Sequence, residues 1–331
     1  MLNRTSLSSF VVKIVLVTLW VPISSCSSDG EEDGILDLIN DQSKEELCEK
    51  TCDSGFRLNT ENCKCEEDIV PVGIVPFTDP ENTEGWVLNE QISDEFEGTV
   101  LDEEKWLIQG RDGVYRSRFK GRSPWQFSTE NVRLENGMLK IQIKYEPDFD
   151  WVDVAASDRA EYKYTTAGVN SKKSFKFGYI EIKSKLPVAK AVGSLWTTGD
   201  EVSSELDVYE AIGKGSRENK MWSSIHDWSI PNPNVSWTET NTLPFSFSDG
   251  FHIYGAEWED DIVKIYADGQ LIKSVTQAWV EENGLDSKKW PLDGGQFVWI
   301  DSEIFPWWGE PDVSDLPADY EIEYLRVWQK N

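Results

Sequence analysis

The chain has 331 residues, 39% of them hydrophobic, and a formal net charge of -28. This is ample apolar material for a core, and 16 Trp, 14 Phe and 10 Tyr exclude disorder throughout. With only two histidines a three-His zinc site is impossible, and the acidic balance argues against a nucleic-acid partner, which would meet a repulsive field.

Met1 to Ser25 reads as a secretory signal. Arg4 supplies the positive start, and Phe10 to Val21 supplies an apolar stretch, interrupted by Lys13, that is short for a bilayer span. It ends at Ile23-Ser24-Ser25-Cys26, which resembles a bacterial lipobox with Cys26 as the lipidated residue. An ordinary cleaved signal with an incidental cysteine is the alternative. Five cysteines is an odd number for an exported protein. Assigning Cys26 to a lipid leaves Cys48, Cys52, Cys63 and Cys65, an even set able to form two disulfides in an oxidising compartment. The C-x3-C and C-x-C spacings do not match common zinc pairs. The acidic stretch Ser27 to Asp33 resembles the export signal of some Gram-negative lipoproteins, or is a plain solvated tether. The expected location is the bacterial cell envelope, lipid-anchored at the outer-membrane surface.

Four segments follow the signal: a lipidated Cys and tether (26–47), a small Cys-rich module (48–65), a linker (66–85) and one large domain (86–331). The module is too short to bury a core and needs its disulfides as staples. The linker holds Pro71, Pro76, Pro80 and Gly85. From Trp86 onward, short β-branched and aromatic runs are separated by Gly, Asn, Asp and Pro. Met138 to Tyr145, Phe177 to Ser184, Val263 to Tyr266 and Tyr320 to Trp328 alternate apolar and polar residues as half-buried strands do, and Ala267-Asp-Gly-Gln270 reads as a turn. Many strands with frequent turns predict an all-β, two-sheet sandwich.

The chemistry lies in Ser203-Ser-Glu-Leu-Asp-Val-Tyr-Glu-Ala-Ile-Gly213. In a strand, Glu205 and Asp207 face one side. A bulge after Asp207 returns Glu210 to that side, while Leu206 and Val208 pack inward. Paired carboxyls about 5–5.5 Å apart suit retaining glycoside hydrolysis, one as nucleophile and one as acid/base. Acid-x-acid-x-x-acid is expected by chance about twice in so acidic a chain. It also occurs at Asp79/Glu81/Glu84, Asp148/Asp150/Asp153 and Glu310/Asp312/Asp315. Only 205–210 has a strand-like frame with Glu at both ends.

Glu205-Leu-Asp-Val-Tyr-Glu210 resembles the active-site signature of glycoside hydrolase family 16 in its bulged form. Phe175 to Lys185, Gly250 to Trp258 with Ile265 to Gly269, and Tyr320 to Trp328 resemble that family's flanking strands in the same order. The resemblance implies a jelly-roll sandwich with a substrate cleft across its concave sheet. It also implies Glu205 as nucleophile, Asp207 as assisting acid and Glu210 as acid/base. Leu206 replaces the commoner Ile, and Gly193-Ser-Leu-Trp-Thr-Thr198 lacks the aromatic that often precedes its Trp. Gly121 to Val132 is most similar to the enzymes of red-algal galactans: agarases, porphyranases and carrageenases, which cut internal β-1,4-galactosidic bonds. A laminarinase-like β-1,3-glucanase and a non-catalytic surface glycan-binding lipoprotein are the alternatives. No cofactor or catalytic metal is implied; some relatives hold a structural Ca²⁺. The expected partner is an algal polysaccharide bound by a monomer.

Candidate substrate-binding residues are Trp196, Trp125, His226, Arg118 and Arg122. Trp196, nine residues before Glu205, can stack on a sugar face, with a core role as the alternative. Trp125 lies in a polar, Gly/Pro-rich stretch that predicts exposure. His226 follows the motif by one strand and reaches the cleft or serves structurally. Arg111, Arg116, Arg118, Lys120 and Arg122 cluster against the single acid Asp112, which predicts a cationic patch pairing with sulfate oxygens, or else a solvated loop.

Overall fold

The computed structural model describes residues 56–59, 64–67, 73–199 and 203–330. The expected signal and tether, Cys26, Cys48, Cys52, Cys63 and the Cys65 side chain lie outside the described residues, and so do the lipidation and disulfide readings. The chain divides after Asp68. On the N-terminal side, Phe56–Asn59 and Lys64–Glu67 form an antiparallel two-stranded hairpin, with Leu58 opposite Cys65.

On the other side, two sheets face each other across one apolar core. Among the described residues the smaller has seven strands, in the order Val235–Thr242, Lys220–Asp227, Ser204–Ile212, Val192–Gly199, Gln296–Glu303, Gly168–Phe175 and Trp106–Ile108. The larger has eleven and is built around Gly178–Lys185, flanked by His252–Trp258 and Ala318–Lys330. Helix is limited to Gln277–Asn283 and single 3₁₀ turns among the described residues. The alternating stretches become the strands Leu139–Tyr145, Gly178–Lys185, Ile262–Ala267 and Ala318–Lys330. In each the apolar set is buried, as period-2 patterning requires when one face meets a core. Leu206, Val208 and Ile225 of one sheet meet Ile180, Ile182 and Ile322 of the other in a single cluster.

The stretch 66–85, read as a linker, is fastened to the sandwich from residue 73 onward. The indole N–H of Trp328 donates to the Ile74 carbonyl at 2.8 Å, and the Phe77 amide donates to the buried Glu181 at 2.9 Å. Glu181 also accepts the hydroxyls of Tyr179 and Tyr324, so this carboxylate of the larger sheet is satisfied by three donors.

Candidate active site

The motif strand, Ser204–Ile212, carries a bulge. Against Lys220–Asp227 its register runs Glu205–His226 and Asp207–Ser224, then jumps to Glu210–Trp222. Against Val192–Gly199 it skips between Asp207–Trp196 and Tyr209–Leu195. One extra residue is thus absorbed after Asp207. Val208 and Tyr209 both turn into the core, where Tyr209 hydrogen-bonds Ser184 at 2.8 Å and contacts the Tyr320 hydroxyl of the opposite sheet. Glu205, Asp207 and Glu210 are left together on the outer face, lining one cavity of about 270 Å³ with Phe119, Trp196, Trp228 and Trp299. The three chance matches to the acid spacing lie outside strands.

Neighbouring strands complete the face by the same period. Val192–Gly199 presents Trp196 and Thr198, and Gln296–Glu303 presents Trp299 and Glu303, to the cavity. Register pairs Trp196 with Trp299, and their rings stack at 4.3 Å and 23°. Trp196 is held by its N–H to Asp301 at 3.0 Å, and Trp299 by its N–H to Thr198 at 3.0 Å. Trp222, opposite Glu210, packs on Trp308 at 4.5 Å with Arg217 above it at 4.9 Å. The cleft therefore has fixed aromatic walls, suited to the C–H faces of sugars.

The carboxyls are not equivalent. Burial is the main influence pushing both Glu205 and Glu210 well above the ordinary range, and the Asp207 charge adds to it. Glu205 alone accepts a hydrogen bond from Trp228, at 3.1 Å, and it has His226 Nε2 3.8 Å away. Both favour its anion. The Glu303 charge raises both glutamates; Glu210 is raised further by Glu205, receives no such hydrogen bond, and has His226 only as the last of its named influences, which favours its protonated form. His226 Nε2 lies 3.3 Å from Asp207, and Nδ1 is bonded to Asn234 at 3.0 Å. Burial pulls the imidazole pKa down, but the Asp207 hydrogen bond and the charges of Asp207 and Glu205 outweigh it and push it up to about 10. Glu205, Asp207 and His226 offer ligand atoms within 4.8 Å of one another, spacing that a divalent cation could use. A cationic imidazole occupies that role electrostatically, since a protonated ring cannot ligate.

The expected substrate-binding residues separate. Trp196 lines the cavity, and His226 borders it through Glu205 and Asp207. Trp125, expected to be exposed, is fully buried. It packs edge-on against Phe127 at 4.9 Å and Phe119 at 5.8 Å, in a cluster with Tyr164 and Trp299. The polar stretch around it folds so that its few apolar residues supply a second, smaller core. The cationic patch is largely neutralised. Arg111 pairs with Glu103, Lys120 with Asp153, and Arg122 with Glu303 at 2.7 Å, while Arg116 lies over Phe297 at 3.8 Å. Arg122 therefore has its charge balanced by a protein carboxylate through one N–H, while about half of its side chain stays exposed at the cavity. Arg118 is exposed beside a second cavity of about 490 Å³, which shares Ser117 and Thr198 with the first.

Sequence reasoning passed over Trp228, Trp299, Asp301 and Glu303. The alternation Trp299-x-Asp301-x-Glu303 within an apolar run was the available signal for the last three. Trp228 sits just beyond its strand, where no periodicity marks it.

An all-β sandwich with clustered carboxyls on the floor of an aromatic-walled cleft has the architecture of a polysaccharide-processing protein. Residues 86–330 match the family model of the beta-porphyranase A-D GH16 domain, and the chain belongs to glycoside hydrolase family 16. It is 27% identical over 223 residues to beta-porphyranase B of Zobellia galactanivorans, covering 61% of this chain and 72% of that protein. It is also 27% identical to glucan endo-1,3-beta-glucosidase A1 of Niallia circulans, over 72% of this chain but only 37% of that longer protein. The laminarinase catalytic domain from Thermotoga maritima superposes with a TM-score of 0.61 at 27% identity, covering 75% of this chain and 99% of that one.

Proposed function

We propose that the chain is a retaining endo-glycoside hydrolase cutting internal β-1,4-galactosidic bonds of a red-algal galactan, a sulfated one of porphyran or carrageenan type in preference to agar. The observation that supports the reaction is the bulge that gathers Glu205, Asp207 and Glu210 on one face. Glu205, favoured as the anion by Trp228 and His226, attacks the anomeric carbon. The glycosidic C–O bond breaks as the Glu205–carbon bond forms, and the Glu210 proton passes to the leaving oxygen. Water then attacks the same carbon, gives its proton to Glu210 and releases Glu205. Asp207 lies between the two, 3.3 Å from cationic His226, and burial together with the Asp207 charge holds Glu210 protonated. These displacements call on no cofactor.

The family match to a porphyranase domain and the exposed Arg118 support the galactan. A β-1,3-glucan is the second reading, supported by the equal identity to the Niallia glucosidase. Cys26 as a lipid anchor would hold the domain at the outer cell surface as a monomer, a reading supported by the sequence around Cys26. Mass spectrometry of products from agar, porphyran, carrageenans and laminarin separates these readings. Galactan oligosaccharides are expected, and cleavage of laminarin alone would overturn the substrate assignment.

A further inference from the structure

The cavity holds a fourth carboxylate whose role the two displacements leave open. Glu303 is buried on the same face as Trp299, two strands from the motif strand, and lines the cavity beside Glu210. One of its oxygens, Oε2, accepts Arg122 Nη2 at 2.7 Å. The Arg122 guanidinium is in turn caged by the rings of Phe119, Phe305 and Trp307, at 5.4–5.7 Å. Both partners are thereby fixed. Glu303 Oε1 makes no hydrogen bond among the described residues, and the side chain, 7% exposed, lines the cavity. A carboxylate is costly to desolvate unless its lone pairs find donors. Arg122 supplies one donor, and the second must come from whatever fills the cavity.

We propose that Glu303 is a specificity-determining residue: Oε1 accepts hydroxyl hydrogen bonds from an unsubstituted sugar ring bound beside Glu210, and its charge rejects an anionic substituent on that ring. This rests on the hydrolase reading above and adds to it. Cavity charge supports the assignment. Glu205, Asp207 and Glu303 line the central cavity as carboxylates around protonated Glu210, whereas the charge of its one lining cation among the described residues, Arg122, is balanced by Glu303. A sulfate ester there would meet a lining whose net charge is negative, because the one guanidinium is already balanced by Glu303. Anionic groups on a substrate are left to the Arg118 side, so the central ring is neutral and carries free hydroxyls.

The test compares kcat/KM for a neutral galactan oligosaccharide and its chemically sulfated form in the wild type, Glu303→Gln and Glu303→Asp. The ratio of neutral to sulfated substrate should fall about tenfold or more in Glu303→Gln, a tenfold change being about 1.4 kcal/mol. Glu303→Asp, which keeps the charge, should retain it. The double variant Glu303→Gln/Arg122→Met removes the orphaned cation and guards against misfolding; it should show the same fall. Equal losses on both substrates in the Gln and double variants would make Glu303 a structural residue and overturn the proposal. If the wild type cuts laminarin and no galactan, the substrate assignment fails instead, and the same ratio is read with laminarin and sulfated laminarin.

Discussion

The indole N–H of Trp228 points at Glu205, Nε1 to Oε2 3.1 Å, and its ring lies within 19° of parallel to His226 at 5.7 Å. One loop residue thus braces both the carboxylate and its neighbouring cation. As the proposed nucleophile Glu205 must be ionised to attack, so activity should rise with pH through its pKa, which burial has raised. His226, protonated up to about 10, stays cationic through neutrality and pulls that pKa back. In His226→Gln the acid limb of kcat/KM should move to higher pH. The basic limb, set by Glu210, should move less, because His226 is the smallest of the named influences on it. An acid limb that stays in place would show that His226 does not govern the nucleophile.

Glu205→Gln and Glu210→Gln should each lower kcat by several orders of magnitude while the melting temperature holds or rises, because each removes a half-buried acid that the proposed mechanism needs for a covalent step. Early-time NMR of products should show the β anomer first. Release of the α anomer at first turnover would mean inversion.

Trp125→Ala should act on stability. Deleting a fully buried indole among Phe119, Phe127 and Tyr164 costs about 3–5 kcal/mol. Urea unfolding should show a lowered midpoint, and KM of the folded fraction should change little. A large rise in KM with an unchanged midpoint would restore a sugar-stacking role for this residue.

Arg118→Ala should raise KM on a sulfated galactan about two- to fivefold, the scale of an exposed ion contact worth up to about 1 kcal/mol, and far less on the desulfated polymer. The difference between the substrates should shrink with added salt. Equal effects on both polymers would remove Arg118 from the recognition of sulfate.

Cys26→Ala should move the protein from the membrane fraction to the soluble one with activity retained, because a lipid on this residue and the acidic segment after it are the proposed tether. Retention in the membrane after signal cleavage would dismiss the lipoprotein reading.

The strands and the gathering of the carboxylate triplet on one face were legible from the chain alone because their signals are local. Alternation in Leu139–Tyr145 and Ala318–Lys330 depends only on the two-residue pleat, and Glu-x-Asp-x-x-Glu in such a frame calls for one bulge. What surrounds the triplet depends on which strands lie side by side. Gln296–Glu303 pairs with Val192–Gly199 across about a hundred residues of sequence, and only that pairing stacks Trp196 on Trp299 and brings Glu303 into the cavity. Arg122 and Glu303 are 181 residues apart and meet only in the fold, so no local pattern could tell a paired guanidinium from a vacant one. Trp125 was misplaced for the same reason. Local polarity suggested exposure, but burial is set by the partners that close over a ring, and Tyr164 and Trp299 come from two other strands distant in sequence. Local pattern decides which face of a strand a side chain takes; what that face meets is decided by long-range pairing, whose loop-closure cost only the assembled core repays.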